Sequence, residues 1–300
     1  MKHMLQELWG PLHPLGFERG TYMVLWGYID DSGDGGDILT LSCLIAHGPT
    51  WVFLGLEWEK LIEKKNKELI ASGRKPFSRF HASDCSCRKN EFSDWDTHLD
   101  QIPFMQALLS IMEKYKFDVA SYTINLKELV KHLPVAKPNP RAFAHVLLLH
   151  YIMEAIATGS LKNNKDAVIS IIHDRGAYDS VLLDAFNVLV KNESYFPAAK
   201  RFCSIAPMGW EHCVALQQAD LLAYENYKES SRDAAKRDRR KSLEWILNRG
   251  QLGGFLKGFN SDALSDVRTW FDNLDAKIKA EFLQAARIPT KPQRKKKREK

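Results

Sequence analysis

Tyr28-Ile29-Asp30-Asp31-Ser32-Gly33-Asp34 is the stretch on which the fold prediction depends, and it closely follows the apolar run Tyr22-Met23-Val24-Leu25-Trp26. Apolar and aromatic residues that end in a cluster of Asp, Ser and Gly predict a buried strand followed by a turn. We therefore expect the Asp30 carboxylate at the C-terminal end of a central strand, the edge where open α/β sheets bind ligands. An ordinary hairpin loop is the alternative, because Asp, Ser and Gly are common turn residues.

The rest of the chain predicts an α/β fold. A second strand follows a short Gly- and Asp-containing turn, which indicates an antiparallel hairpin with the first. Strands that alternate with helices after residue 117 indicate a mixed-direction sheet flanked by helices. Strands are predicted at Ile38–Ala46, Phe117–Asn125, Ala167–His173 and Arg201–Ala206, with a short extended piece at Phe77–Asp84. Helices are predicted at Trp51–Ala71, Thr97–Tyr115, Arg141–Thr158, Ser180–Lys191 and Cys213–Lys228.

The domain organisation follows from the same pattern and from the absence of a Pro- or Gly-rich linker. We expect one main domain over residues 20–230 with a helical insertion at about 50–116. A helical C-terminal extension is expected at 231–288, with a loop at 250–258. The last ten residues hold seven Lys or Arg and one Glu, which accounts for the whole net charge of +6. This basic tail, 289–300, is predicted to be disordered, and it is either a solubilising end or a phosphate-binding arm.

Composition favours a cytoplasmic protein without a membrane partner. The apolar stretches are too short, or too often interrupted by His or charge, to span a bilayer. The N-terminal residues lack the apolar core of a secretory signal. The five cysteines are irregularly spaced, which predicts free thiols in a reducing compartment.

Two further aspartates are placed in ways that suggest a shared site with Asp30. Asp174 ends the predicted strand Ala167–His173, so parallel neighbouring strands would bring it to the same sheet edge. Asp220 falls on the apolar stripe of its helix, where a carboxylate is costly unless it is paired or binds a metal. Arg175 or His212 would be its partner in a purely structural role. Close carboxylates repel unless a cation lies between them, and Mg²⁺ or Mn²⁺ is the natural cation for oxygen ligands.

Glu154 is a fourth acidic candidate, on a helix that is apolar for three turns. It shares one line of that helix with Phe143, Leu147 and His150. The alternative is that Glu154 lies near the helix end and reaches into water.

Four motifs in this order resemble the domain of unknown function 3800 family: Tyr28–Asp34, Phe80–Asp84, the apolar strand that ends in Asp174, and Gln217–Leu221. The resemblance covers roughly residues 23–227 and implies a ribonuclease H-like fold. It implies that Asp30, Asp174 and Asp220 are the acidic positions of the family, and that His81 and Asp84 belong to its central motif. By order along the chain, Glu154 is the best match to a further ligand that ribonuclease H-like enzymes supply from a helix.

The first motif departs from the family at one position, where Asp31 stands in place of the usual Glu. Asp31 is expected to point away from Asp30, since successive strand residues face opposite sides of a sheet.

The activity implied by the resemblance is hydrolysis of nucleic-acid phosphodiester bonds with two Mg²⁺ or Mn²⁺ ions. Asp30 would bridge the two ions, and Asp174, Asp220, Glu154 and Asp84 are the further ligand candidates. His81 is expected to assist proton transfer near neutral pH. His173 is the weaker candidate, because it precedes Asp174 and should face the other side of the sheet.

A basic run after Asp220 predicts a phosphate-backbone track for RNA or DNA. Its members are Lys228, Arg232, Lys236, Arg237, Arg239, Arg240 and Lys241. Asp233 and Asp238 interrupt the run, so a solvated helix face is the alternative.

The same residues are compatible with two other functional classes. One is a non-catalytic module that binds nucleic acid or a protein partner on the same fold. The other is a nuclease from a mobile element or a defence system that acts only beside a partner protein.

A His-Asp pair such as His173-Asp174 also occurs in metal phosphohydrolases, but on a helix of an all-helical fold, whereas here it ends a predicted strand.

Overall fold

The computed structural model describes residues 23–33, 35–163, 167–231, 242 and 252–288, apart from the side chains of residues 163, 212 and 252–256. The predicted tail at 289–300 and the basic run from 232 to 241 lie outside the described residues.

Six strands form one mixed sheet in the order β5-β4-β1-β2-β3-β6. They are β1 (Met23–Ser32), β2 (Ile38–His47), β3 (Phe117–Asn125), β4 (Ala167–Asp174), β5 (Phe202–Met208) and β6 (Leu252–Phe259). Strands β1, β2 and β3 pair antiparallel in succession. Strand β4 runs parallel to β1, β5 parallel to β4, and β6 parallel to β3. The prediction of an α/β fold with a mixed sheet flanked by helices is confirmed.

Ten α-helices lie within the described residues. They are α1 (Gly48–Ala71), α2 (Ala82–Cys87), α3 (Ile102–Glu113), α4 (Leu126–His132), α5 (Pro140–Thr158), α6 (Ser160–Asn163), α7 (Asp179–Lys191), α8 (Val214–Ser231), α9 (Ser261–Asp272) and α10 (Ala276–Ala285). A π-helical turn, Thr97–Gln101, precedes α3, and short 3₁₀ turns occur at Asn90–Phe92, Pro134–Ala136, Ala199–Arg201 and Trp210–His212.

The two faces of the sheet carry separate apolar cores, because alternate strand residues point to opposite sides. On β1, Leu25 and Ile29 belong to the core under α5, α7, α9 and α10. Trp26 and Tyr28 pack against the other core, which α1, α3 and α8 cover. Asp30 shares the parity of Trp26 and Tyr28 and therefore lies on the α8 face.

Helix α8 is enclosed between the sheet and the segment that joins β2 to β3, and every residue from 215 to 227 is buried. Its position along the sheet is fixed in part by a hydrogen bond of 2.7 Å from Asn226 Nδ2 to Ser121 Oγ on β3. Ser121 in turn contacts the Ser42 hydroxyl on β2. Because α8 is buried and joined to the sheet by these contacts, it places the side chain of Asp220 at the sheet edge.

Two local predictions were wrong. The loop predicted at 250–258 is strand β6 from Leu252 onward, paired with β3 over its whole length. Glycines at 253, 254 and 258 give this segment no strand pattern in the sequence. The segment is extended because it pairs with the open edge of β3. The extended piece predicted at Phe77–Asp84 turns into helix α2 at Ala82. The C-terminal segment thus contributes a strand to the sheet in addition to helices.

The span Pro140–Lys162, which contains α5, is long and apolar enough by composition to cross a membrane. Its most apolar stretch is 72% buried inside the protein, as is usual for the core helix of a globular domain.

Candidate active site

Three aspartates from three separate elements line one pocket at the sheet edge. Strands β1 and β4 are parallel, with Ile29 opposite His173, so Asp30 and Asp174 emerge side by side on the α8 face. Asp220 reaches the same pocket from α8. The pocket has a volume of about 200 Å³ and is lined by Asp30, Asp31, Arg79, Phe80, His81, Asp174, Trp210, Leu216, Gln217 and Asp220.

Helix α8 also fixes the segment that carries His81. The Asp220 Oδ2 atom accepts a hydrogen bond of 2.7 Å from the backbone N–H of Ala82. One turn earlier, Gln217 Oε1 accepts hydrogen bonds of 3.1 Å from the Phe80 N–H and from the Trp58 indole. Because the residues on both sides of His81 are held by one helix, its imidazole is fixed at the pocket.

The electrostatics of the three aspartates favour a bound cation. Burial, followed by repulsion from Asp220, Asp31 and Asp174, raises the pKa of Asp30 well above its ordinary value. Burial likewise raises the pKa of Asp174, and it raises the pKa of Asp220 to about 6, although His81 and the Ala82 N–H oppose the rise. Three carboxylates that resist ionisation together are stabilised in their charged form by positive charge between them.

Asp31 borders the pocket, but its carboxylate lies on the other side of the sheet, and His173 faces that side as well, as the strand alternation predicts. His145 Nε2 lies 3.8 Å from Asp31 Oδ2. Burial opposes ionisation of Asp31, but His145 and Arg141 outweigh it and lower the pKa of Asp31. His173 is almost fully buried, with Nδ1 3.0 Å from the Asp174 carbonyl oxygen. His81 is thus the histidine that borders the pocket.

Asp84 is placed beside His81 rather than in the pocket. Its Oδ2 atom lies 2.9 Å from His81 Nδ1 and accepts a hydrogen bond of 3.0 Å from Asn90 Nδ2. Asp84 is absent from the pocket lining. The structure thus places Asp84 against His81 and outside the group of three aspartates, and its role as a metal ligand stays a prediction.

Glu154 is also remote from the pocket, so the structure does not bring this predicted ligand together with the three aspartates. Helix α5 begins at the acidic edge, where Arg141 donates hydrogen bonds of 3.3 and 3.2 Å to the carbonyl oxygens of Gly33 and Gly36. Glu154 is thirteen residues further along, about 20 Å at the rise of an α-helix. It lies instead near Tyr122 and Tyr151, and burial raises its pKa.

Lys228 is the one member of the predicted phosphate track within the described residues. It lies eight residues after Asp220, about 12 Å along the helix. Its ammonium group lies 5.3 and 5.2 Å from the ring centroids of Tyr224 and Tyr227. Arg232, Lys236, Arg237, Arg239, Arg240 and Lys241 lie outside the described residues.

Two residues of the pocket were missed by the sequence analysis. The guanidinium carbon of Arg79 lies 4.0 Å from the ring centroid of Trp210, and both side chains border the acidic cluster. No periodic pattern marks either residue, because one is in a loop before α2 and the other in the turn after β5. Arg79 directly precedes the Phe80–Asp84 motif, and this adjacency is the one sequence signal that points to it.

The carboxylate oxygens of the pocket are donors of the kind that Mg²⁺ or Mn²⁺ prefers, although they do not form a preformed metal site among the described residues. Over the ranges that the structure describes, no three His, Cys, Asp or Glu side chains are grouped closely enough to hold a metal ion. Carboxylates that repel one another stand apart until a cation joins them. Mg²⁺ usually keeps several waters and binds through one or two carboxylates and substrate phosphates. Asp30, Asp174 and Asp220 are the residues that would hold such an ion.

None of the protein-family models, curated proteins or solved structures compared with this chain matches it. The resemblance to the domain of unknown function 3800 family stays a prediction that rests on the four motifs.

Proposed function

We propose that this protein is a metal-dependent nuclease that hydrolyses phosphodiester bonds of nucleic acids. The observation that carries the proposal is the convergence of Asp30, Asp174 and Asp220 in one pocket from β1, β4 and α8. Mutually repelling carboxylates reduce stability, so a purely structural role gives no physical reason to bring them together. A role in binding divalent cations gives that reason.

The sheet supports a ribonuclease H-like assignment. Three antiparallel strands are followed by two parallel strands on the far side of β1, giving the order β5-β4-β1-β2-β3. This arrangement agrees with the fold that the four sequence motifs imply. Strand β6 would then be an addition beside β3.

Asp30, Asp174 and Asp220 would hold two Mg²⁺ or Mn²⁺ ions. When bound, such ions activate water as a nucleophile and stabilise the charge of the leaving oxygen. Asp30 lies between Asp174 on the neighbouring strand and Asp220 on α8, and repulsion from both contributes to its raised pKa. Asp30 would therefore be the central one of the three residues that hold the ions.

His81 is the residue that we assign to proton transfer. Its ring borders the pocket and its Nδ1 atom faces Asp84. A carboxylate 2.9 Å from Nδ1 favours the tautomer that carries its proton on that nitrogen, although the contact does not have the geometry of a hydrogen bond. Nε2 would then be the nitrogen free to accept or donate a proton at the substrate.

The test is cleavage of labelled RNA, DNA and RNA–DNA hybrids in Mg²⁺ or Mn²⁺ by the wild type and by Asp30→Asn. Metal-dependent cutting that the substitution abolishes supports the proposal. Salt-sensitive nucleic-acid binding without cutting, unchanged in Asp30→Asn, would favour the non-catalytic binding module instead.

A further inference from the structure

Arg79 is the one Arg or Lys among the described residues that line the acidic pocket. Its guanidinium group stacks on the indole of Trp210 at 4.0 Å. The two side chains come from distant parts of the chain, a loop between α1 and α2 and the turn after β5. The fold therefore holds a planar cation over the edge of a cluster of carboxylates.

The donors of this guanidinium are not used within the protein. In the part of the chain that the structure describes, Arg79 makes no hydrogen bond and no ion pair within 4.0 Å, although its charge acts on Asp174 and Asp220. A guanidinium beside carboxylates ordinarily forms bidentate pairs with them. Stacking on Trp210 restrains Arg79 by its face, which leaves the N–H groups at its edge available. Arg79 is only partly buried, so these N–H groups are open to solvent and can donate to a ligand that enters the pocket.

An anionic group with paired oxygens is the ligand that fits these donors. Arginine offers two parallel N–H groups that match the oxygens of a phosphate, whereas lysine offers a single point charge. Once divalent cations neutralise the aspartates, the pocket no longer repels a phosphate. Arg79 then supplies directed hydrogen bonds at its rim.

We propose that Arg79, oriented by Trp210, binds a backbone phosphate of the nucleic acid beside the three aspartates. This inference rests on the proposed nuclease function and identifies the group that positions its substrate. Trp210 is a positioning residue that acts through Arg79. The competing explanation is that Arg79 only offsets the negative charge of the aspartates.

The salt dependence of binding separates these explanations. The probe is a labelled oligonucleotide of the kind that the wild type cuts, with Ca²⁺ in place of Mg²⁺ and with gel analysis to show that it stays intact. Binding is measured over a range of salt concentrations for the wild type and Arg79→Met. We expect the substitution to weaken binding by about 10- to 100-fold. The slope of log affinity against log salt should fall by about 0.7 for a single strand or about 0.9 for a duplex, the value for one lost phosphate contact.

Arg268→Met is the matched control, since it removes the same charge from α9 on the opposite face of the sheet, where Arg268 pairs with Asp272. It should leave both the slope and the affinity unchanged. Arg79→Lys should keep the wild-type slope but bind more weakly, because the charge is retained without the planar pair of donors. Trp210→Ala should weaken binding more than Trp210→Phe, which keeps an aromatic face.

An unchanged salt slope in Arg79→Met would overturn the phosphate assignment, and tighter metal binding in that variant would then indicate charge compensation alone. If Arg79→Met does not fold, Arg79→Lys is compared with the wild type instead. Equal affinities of these two proteins for the oligonucleotide would overturn the phosphate assignment. If these results are obtained while the wild type cuts its substrate normally, this inference is refuted and the nuclease proposal is not. A wild type that neither cuts nor binds nucleic acid refutes both.

Discussion

Asp220 Oδ2 accepts a hydrogen bond of 2.7 Å from the backbone N–H of Ala82, which joins the buried helix α8 to the first residue of α2. This contact places a carboxylate and the neighbouring His81 in one pocket, although the two residues are far apart in sequence. Burial disfavours the charged form of this carboxylate, and repulsion from Asp174 adds to the effect. Four predictions follow from this arrangement.

Asp220→Asn should change how stability depends on pH in the metal-free protein. The folded pKa of Asp220, about 6, is higher than the ordinary value of about 4. The stability contributed by Asp220 is therefore fully present below about pH 4 and is lost as pH rises towards 6. Asparagine does not titrate and can still accept from the Ala82 N–H. The unfolding free energy of the variant relative to the wild type should rise by on the order of 2–3 kcal/mol across this range.

Chemical denaturation at a series of pH values, with a chelator present, measures that difference. Groups remote from the pocket, such as His150 with its pKa lowered by burial to about 4, are common to both proteins and cancel. Asp30 does not cancel, because the variant lacks the Asp220 charge that raises the pKa of Asp30, and its easier ionisation changes the difference in the same direction. A difference that stays flat between pH 4 and pH 6 would show that Asp220 is not disfavoured in its charged form.

Divalent cations should stabilise the wild type through the aspartates. A ligand at a hundred times its dissociation constant adds about 2.7 kcal/mol to the unfolding free energy. Mg²⁺ or Mn²⁺ should therefore raise the thermal midpoint of the wild type, and by much less for Asp30→Asn or Asp174→Asn. Asp184→Asn is the control, because Asp184 pairs with Arg287 on the other face of the sheet. Equal metal-induced shifts in all four proteins would place the bound metal elsewhere.

Glu154→Gln should leave metal-dependent cleavage within about two-fold of the wild type, since Glu154 is remote from the pocket by roughly 20 Å along α5. Asp174→Asn should reduce the rate by at least about 100-fold, because it removes a ligand of the proposed metal pair. The measurement is the single-turnover cleavage rate of both variants and of the wild type. A loss in Glu154→Gln as large as that in Asp174→Asn would show that the working site includes α5 after all.

His81→Ala should lower the cleavage rate by about 100-fold or more, the usual contribution of a general acid or base. Asp84→Asn should cause a smaller loss, about 10-fold, because the ring is retained and only its orientation is weakened. Metal affinity should be unchanged in both, which calorimetry can verify. His98→Ala, at an exposed position in the π-helical turn, provides the control. If His81→Ala cuts at the rate of the control, proton transfer must be assigned to another group.

Sequence patterns were enough to predict that the three aspartates lie together, because the position of each follows from the strand or helix that carries it. Asp30 and Asp174 end apolar strands, and an inward Asp220 stands out on a helix that is otherwise apolar. The direction of Asp31 was predictable for the same reason, since alternation along a strand is fixed by its pleat. These inferences needed only a strand or a helix and its period.

Sequence patterns give no information where tertiary structure decides the outcome. Glu154 shares a helix line with apolar residues, but that line says nothing about which end of α5 meets the sheet edge. Strand β6 exists because β3 offers a free edge, and its glycines give no strand pattern of their own. The contact between Arg79 and Trp210 joins segments more than a hundred residues apart, which no local pattern predicts.

The most direct test of the central claim is single-turnover cleavage by the wild type and Asp30→Asn, on labelled RNA, DNA and hybrid substrates, with Mg²⁺, with Mn²⁺ and with a chelator. We predict that the wild type cuts at least one substrate only when a divalent cation is present, and that Asp30→Asn does not cut while keeping its fold. Cleavage that persists in the chelator, or that Asp30→Asn carries out at the wild-type rate, would contradict the assignment of this pocket as a metal-dependent nuclease site.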